Sequence, residues 1–260
     1  MGTVLAVVNQ KGGVGKSTTA VNLGATLAER GNKLLLIDID PQGNATSGVG
    51  VDKSELEQCV YSLLVEDVPI TEIIVKTSVE NLDLVPATID LAGAEIELVS
   101  SFSREVKLRR ALEKVKDNYD FIIIDCPPSL GLLTLNALAA AEKILVPIQC
   151  EYYALEGLGQ LMRTIKLVQN HLNPEMEIAG VIMTMYDSRT NLSQQVIEEV
   201  KKFFQEKVYS TVIPRNVRLS EAPSFGLPII LYDPRSKGAR SYQELAEEFL
   251  SRLKGGVRNE

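Results

Sequence analysis

Asn9-Gln10-Lys11-Gly12-Gly13-Val14-Gly15-Lys16-Ser17-Thr18-Thr19 brings two lysines, three glycines and three hydroxyls into eleven residues. Residues of these types at this spacing could cradle a phosphate. Glycines let a backbone wrap an anion closely, so that its N–H groups converge on the oxygens. Lys16 would reach the β/γ-phosphates of a nucleotide, and the Ser17 hydroxyl would bind Mg²⁺. Asp38 and Asp40 follow the apolar run Leu34–Ile37, just ahead of Pro41 and Gly43. Asp125 follows Phe121–Ile124, just ahead of Pro127-Pro128. Open α/β sheets bind ligands at the carboxyl ends of their strands, so these carboxylates are well placed for a metal–phosphate site. An aspartate in Asp125's position orients waters on Mg²⁺. Taken alone, Asp38 and Asp40 would read equally well as turn or helix caps; beside a phosphate loop the metal reading is favoured. The loop departs from G-x-x-x-x-G-K-[ST]: Gln10 stands where the first glycine would be, and Lys11 is an additional cation.

Positioning these residues needs a strand, a loop and a helix in that order. Val4–Val8 is an apolar run of strand type, and Ala20, Leu23, Leu27 and Ala28 recur at helical spacing after the loop. Short apolar runs alternate with helical patterns along the rest of the chain. This predicts an α/β fold: three layers, a mostly parallel twisted sheet with helices on both faces, in one domain over residues 1–260. The strands expected after the first are 33–37, 82–86, 121–124, 143–148 and 178–184. Near-continuous apolar runs imply strands buried on both faces. Helices are expected over 103–116, 151–173 and 192–206, and from Gly238 onward.

Composition narrows the function classes. Hydrophobic residues make up 45% and charged residues 23%, the balance of a soluble globule. No apolar run approaches a spanning helix or a secretory signal, so a cytoplasmic protein without membrane contact is expected. Cys59, Cys126 and Cys150 lack metal-type spacing and read as reduced thiols, and the lone His171 reads as a helix-end residue. The net charge of −7 argues against a simple nucleic-acid binder, yet residues 201–240 hold eight basic and three acidic side chains, a net +5.

Lys11-Gly12-Gly13-Val14-Gly15-Lys16-Ser17-Thr18 resembles the deviant Walker A motif of the ParA/MinD ATPases, and the likeness, closest to the chromosomal ParA (Soj) branch, runs over nearly the whole chain. The resemblance implies that ATP and Mg²⁺ are bound by the loop, residues Lys11, Gly12, Gly13, Val14, Gly15, Lys16, Ser17 and Thr18. Asp40 would lie near the attacking water, with Asp38 and Asp125 supporting the metal. Pro214 and Asn216 would meet the adenine, with Met185, after the strand 178–184, as the other wall. Glu151 would reach a nucleotide in a sandwich dimer, and Lys11, which has no task in a single-subunit cradle, would cross to the partner's nucleotide. Arg189 and Arg218 match DNA-contact positions. The resemblance further implies weak ATPase activity, sequence-independent double-stranded DNA as ligand, a ParB (Spo0J-type) protein that stimulates hydrolysis, and regulation of replication initiation through DnaA. ATP-bound protein would then associate with the nucleoid.

Two other classes compete. A MinD-like membrane ATPase needs a basic amphipathic C-terminal helix, whereas this one carries Glu244, Glu247 and Glu248. A metabolic enzyme on the same fold would need a pocket for a small acid or amine, which no motif here marks.

Overall fold

The computed structural model describes residues 2–152 and 158–255. Its strands are β1 (Thr3–Val7), β2 (Leu34–Asp38), β3 (Val75–Lys76), β4 (Leu82–Val85), β5 (Phe121–Asp125), β6 (Lys143–Gln149), β7 (Glu177–Tyr186) and β8 (Val208–Pro214). They form one sheet in the order β3-β4-β2-β5-β1-β6-β7-β8. Every pairing is parallel except β3 with β4.

The helices are α1 (Lys16–Glu29), α2 (Asn44–Gly48), α3 (Val60–Val65), α4 (Ile70–Ile73), α5 (Leu91–Glu97), α6 (Lys107–Leu112), α7 (Leu132–Ala140), α8 (Leu158–His171), α9 (Asn191–Phe204), α10 (Val217–Glu221), α11 (Ile229–Tyr232) and α12 (Lys237–Gly255). They split into two layers, as the period-two alternation of the strands requires. Val4, Ala6, Leu35, Ile37, Ile122 and Ile124 face one core, which takes in α3 and α5–α9. Leu5, Val7, Leu34, Leu36, Phe121 and Ile123 face the other, under α1, α11 and α12. Both faces being covered explains why the strands read as unbroken apolar runs.

Some boundaries differ from the sequence reading. The helix expected over 103–116 is regular only over Lys107–Leu112. Ser103 has a left-handed φ of 53°. Asn136 in α7 then fixes the start, accepting from the Leu108 N–H at 3.2 Å and donating to the Arg104 carbonyl at 2.7 Å. That cap comes from a distant helix and leaves no local signal. The helix expected over 151–173 is seen as Leu158–His171, with Glu151 and Tyr152 outside it; residues 153–157 lie outside the described residues. β3 is a two-residue edge strand, and β8 is a strand the sequence reading did not expect, ending at Pro214.

Candidate nucleotide-binding site

β1 delivers the chain to the glycine loop, and the loop turns through Gly13 (φ 73°) and Gly15 (φ 87°). Both sit in the left-handed region that favours glycine. Gly15 is the N-cap of α1 and supplies no side-chain acceptor, so the first N–H groups of α1 are left for an anion. The loop is tied down at both ends. Asn9 Nδ2 donates to the Pro147 carbonyl at 2.7 Å, and Thr184 Oγ1 donates to the Val14 carbonyl at 2.8 Å. Lys16 is buried, and its Nζ donates to the Lys11 carbonyl at 3.1 Å. Burial holds its pKa below the ordinary lysine value, against the pull of Asp125 and Asp40.

Parallel register sets the carboxylates side by side: Asp38 at the end of β2 is opposite Asp125 at the end of β5. Both are fully buried. Their hydrogen bonding differs. Asp38 accepts from the Thr46 N–H and Thr46 Oγ1, each at 2.8 Å, and from the Asp40 N–H at 3.1 Å. Three of its acceptor positions therefore hold the segment 40–46 in place. Neither buried oxygen of Asp125 has a partner in full hydrogen-bond geometry; the Ser17 hydroxyl is the neighbouring donor, and its pull offsets only part of the rise in the Asp125 pKa. Burial pushes Asp38 up to about 6, and burial with the neighbouring Asp38 charge pushes Asp125 well above the carboxylate range.

An orphaned buried carboxylate is costly unless a cation meets it. Asp125 with the Ser17 hydroxyl therefore fits Mg²⁺. Among the described residues no cluster of three or more His, Cys, Asp or Glu side chains could hold a metal alone. Mg²⁺ does not need one, because phosphates and waters fill most of its shell.

A cleft of about 550 Å³ opens beside these groups, lined by Gly12, Gly13, Gly15, Lys16, Ser17 and Thr18 on one side and by Asp40, Gln42 and Ala222–Ser224 on others. Val14, Asp38 and Asp125 do not line it. A second cavity of about 480 Å³ shares Gly15, Thr18, Met185 and Pro223 with the first and adds Ile213, Pro214, Asn216 and Tyr242. Met185, Pro214 and Asn216 are thus brought together next to the phosphate loop. Asn216 Oδ1 caps α10 by accepting from the Arg218 N–H at 2.9 Å, which leaves its amide NH₂ for a ligand.

Known proteins match this geometry. A family profile described as an AAA domain matches residues 2–178. The sporulation initiation inhibitor protein Soj of Bacillus subtilis is 68% identical over 95% of this chain and 98% of that protein. The chain belongs to the ParA/Soj family of ATPases, in its chromosomal branch. The chromosome partitioning protein ParA of Myxococcus xanthus is 55% identical over 97% of this chain and 89% of its own length. Among solved structures, cobyrinic acid a,c-diamide synthase from Mycobacterium smegmatis, with bound ADP and magnesium, superposes with a TM-score of 0.87 at 43% identity, covering 98% of this chain and 97% of that one.

The ParA/Soj signature lysine has a partner within its own chain. Lys11 does not line the cleft; it forms an ion pair with Glu151 across 140 residues. The sequence reading gave Lys11 no task in a single-subunit cradle; within one subunit its side chain is held by Glu151 instead. Arg189 and Arg218 follow the ends of neighbouring strands, since Tyr186 of β7 is opposite Pro214 of β8. Both are exposed and both are engaged: Arg189 is bidentate to Asp187, and Arg218 meets Glu221 at 2.9 Å and Asp233 at 3.5 Å.

Sequence reasoning missed Thr46, Thr184 and Tyr242. Thr46 holds Asp38 and also accepts from the Ala87 N–H at 3.0 Å. Its only signal was a hydroxyl shortly after the acidic pair. Thr184 stands where the β7 apolar run turns polar, and the Tyr242 hydroxyl meets Thr19 of α1 at 3.3 Å, a long-range contact with no local signature.

Proposed function

We propose that this ParA/Soj protein is an ATP-gated, DNA-binding switch for chromosome partitioning, carried by one domain over residues 1–260. ATP enters the cleft with its phosphates on the loop and its base in the adjoining slot. Lys16 and the N–H groups from Gly13 to Thr18 bind the phosphate oxygens. Ser17 and Asp125 hold Mg²⁺, which neutralises charge on the transferring phosphoryl group. Asp40, at the cleft wall, orients the attacking water and takes its proton. Two subunits then clasp their nucleotides, each Lys11 leaving Glu151 for the partner's phosphates and each Glu151 turning to a nucleotide. The paired subunits gather Arg189 and Arg218 on one side, where they bind DNA phosphates without reading sequence. Hydrolysis to ADP and phosphate, stimulated by a ParB/Spo0J-type protein, releases the DNA. Control of initiation through DnaA belongs to the same reading, as does a cytoplasmic location with nucleoid association.

The observation that carries this reading is the division of labour between the lysines. Lys16 is committed to its own cleft, while Lys11 lies outside it in a separable ion pair. The chromosome-partitioning names of the relatives support the biological role. A second reading, a metabolic enzyme on the same fold, has the name of the M. smegmatis neighbour in its favour. A membrane role is disfavoured. Among the described residues no helix is long and apolar enough to cross a bilayer. The apolar face of α12 (Tyr242, Leu245, Ala246 and Phe249) is already buried on the sheet.

A DNA mobility assay with ADP, ATP and a non-hydrolysable analogue, at two salt concentrations, tests the proposal. Retention only with the triphosphates, weaker at high salt, is the expected result. Retention that ignores the nucleotide overturns it.

A further inference from the structure

The segment from Ile89 to Phe102 presents an apolar surface that nothing in the cleft requires. Leu91, Ala94 and Leu98 turn inward and are fully buried. Outward, Ile89 is 67% exposed, Ile96 78%, Val99 60% and Phe102 97%. Ile96 and Val99 are three apart and share one face across the end of α5 and the short turn after it, with Ile89 just ahead of α5 and Phe102 just past that turn. Large apolar side chains gathered on one face mark an interaction site, whereas scattered ones need no explanation.

A second observation lies on the flank of that face. Glu95 Oε1 is buried without a hydrogen-bond partner, and Glu95 makes no ion pair among the described residues. Its carboxylate lies against Gly131, the N-cap of α7, so closely that a Cβ there would collide with Oε1. Gly131 ends the segment that begins at Asp125 and lines the cleft at Pro128. The other carboxylates along the ridge are served: Asp90 accepts from Thr88 Oγ1 at 2.9 Å, and Glu97 from the Tyr61 hydroxyl at 3.0 Å. The cations near Phe102 are partly committed as well, Lys107 to Asp67 and Arg104 to Glu105.

We infer that the ridge Ile89–Ile96–Val99–Phe102 is the docking surface for the protein that stimulates hydrolysis, through an apolar segment of that partner whose lysine or arginine neutralises Glu95. The occupant follows from complementarity. An apolar ridge calls for apolar side chains, and a half-buried carboxylate lacking a donor calls for a cation. Because Glu95 bears on Gly131, a cation there changes what presses on the start of α7 and on the segment leading back to Asp125. Glu95 is thus a positioning residue, and the ridge supplies affinity. This inference rests on the stimulated-hydrolysis reading above.

The test uses the full chain with DNA, ATP and the ParB-type protein from the same organism, titrated in an ATPase assay. The exposed pair Ile96→Ser/Val99→Ser should raise the half-saturating partner concentration at least about tenfold, with unstimulated ATPase and ATP-dependent DNA retention unchanged. Glu95→Gln should lower the stimulated rate about fivefold or more while moving half-saturation less than about threefold, a split that a merely structural role does not produce. Glu95→Asp should recover part of the rate. Unchanged stimulation of the serine pair overturns the inference. So does loss of ATP-dependent dimerisation by that pair, which would assign the ridge to a second copy of this chain. If the wild-type protein is not stimulated at all, the functional reading itself fails, and the inference with it.

Discussion

Replacing Thr46 with valine isolates the contact that ties the acidic pair to the fold. Valine matches threonine in shape, so no cavity opens; only the hydroxyl is lost. That hydroxyl donates to Asp38 Oδ2 at 2.8 Å and accepts from the Ala87 N–H at 3.0 Å, and Thr46 and Asp38 are both fully buried. Losing a hydrogen bond to a charged group costs about 1.5–3 kcal/mol, and stranding a buried N–H costs about 1–3 kcal/mol. The Thr46 N–H still serves Asp38, so the low ends apply, and Thr46→Val should lose about 2.5 kcal/mol where Asp38 is ionised. The two parts separate by pH. The stranded Ala87 N–H costs the same at any pH. The Asp38 part requires an ionised carboxylate. Asp38 already titrates at about 6 in the folded state, raised from 3.8 chiefly by burial. The substitution raises it further, so the added penalty is absent below the wild-type folded value and grows as pH rises through it. Urea unfolding of both proteins at about pH 5 and about pH 8 measures this. The difference between them should widen at the higher pH by about 1 kcal/mol or more. A total loss below about 1 kcal/mol, or a loss independent of pH, would refute the argued role of Thr46.

Asp40→Ala should bind ATP but not hydrolyse it, accumulating as a DNA-bound dimer in size-exclusion and mobility assays; retained turnover removes Asp40 from the mechanism. Arg218→Glu should keep ATP-dependent dimers yet lose DNA retention, and Arg218→Ala should lower the slope of log affinity against log salt by about two, one contact per subunit; an unchanged slope places the DNA surface elsewhere. Glu248 accepts from the Ser210 and Thr211 N–H groups at 2.8 and 2.9 Å and covers the outer edge of β8. Burial pushes its pKa up, but those N–H donors outweigh it and hold the carboxyl below 4.5. A folded-state pKa below the unfolded one gives stability that is present above the unfolded value and lost as pH falls through the folded one. The melting temperature of the wild type should therefore fall more between about pH 5 and pH 3 than that of Glu248→Gln; parallel curves would contradict this account.

What could be read from the sequence was local chemistry. The glycine loop, Lys16, Ser17, Asp38, Asp40 and Asp125 stood out because phosphate and metal chemistry calls for specific residue types at short spacing, next to an apolar run. The sheet was legible because each core strand is buried on both faces and has no polar interruption. What escaped depends on groups that meet only after folding. Lys11 and Glu151 lie 140 residues apart. The start of α6 is set by Asn136, twenty-eight residues further along the chain. β3 is two residues long and pairs antiparallel at the edge, too short to carry a periodic signal. Asp38 and Asp125 looked equivalent in sequence, and hydrogen bonding separates them: one is satisfied by Thr46 and Asp40, the other is left open.

The Lys11–Glu151 pair also bears on where the energy of the proposed switch would reside. Both side chains are about a third exposed, at 34% and 35%. A pair so open to solvent contributes about 0–1 kcal/mol. Moving a two-state equilibrium from 1:99 to 99:1 takes about 5.5 kcal/mol of differential binding. Breaking this pair therefore cannot be the gate between single and clasped subunits, and forming it cannot hold the subunits apart. Its physical value lies elsewhere. It keeps a cation and a carboxylate beside the glycine loop, both cheap to release. In the proposed switch, nearly all of the discrimination must then come from the nucleotide, through contacts that a triphosphate would make with two subunits and a diphosphate would not. A lysine parked at small cost is suited to that arrangement, because the free energy of each new phosphate contact is not spent on freeing it.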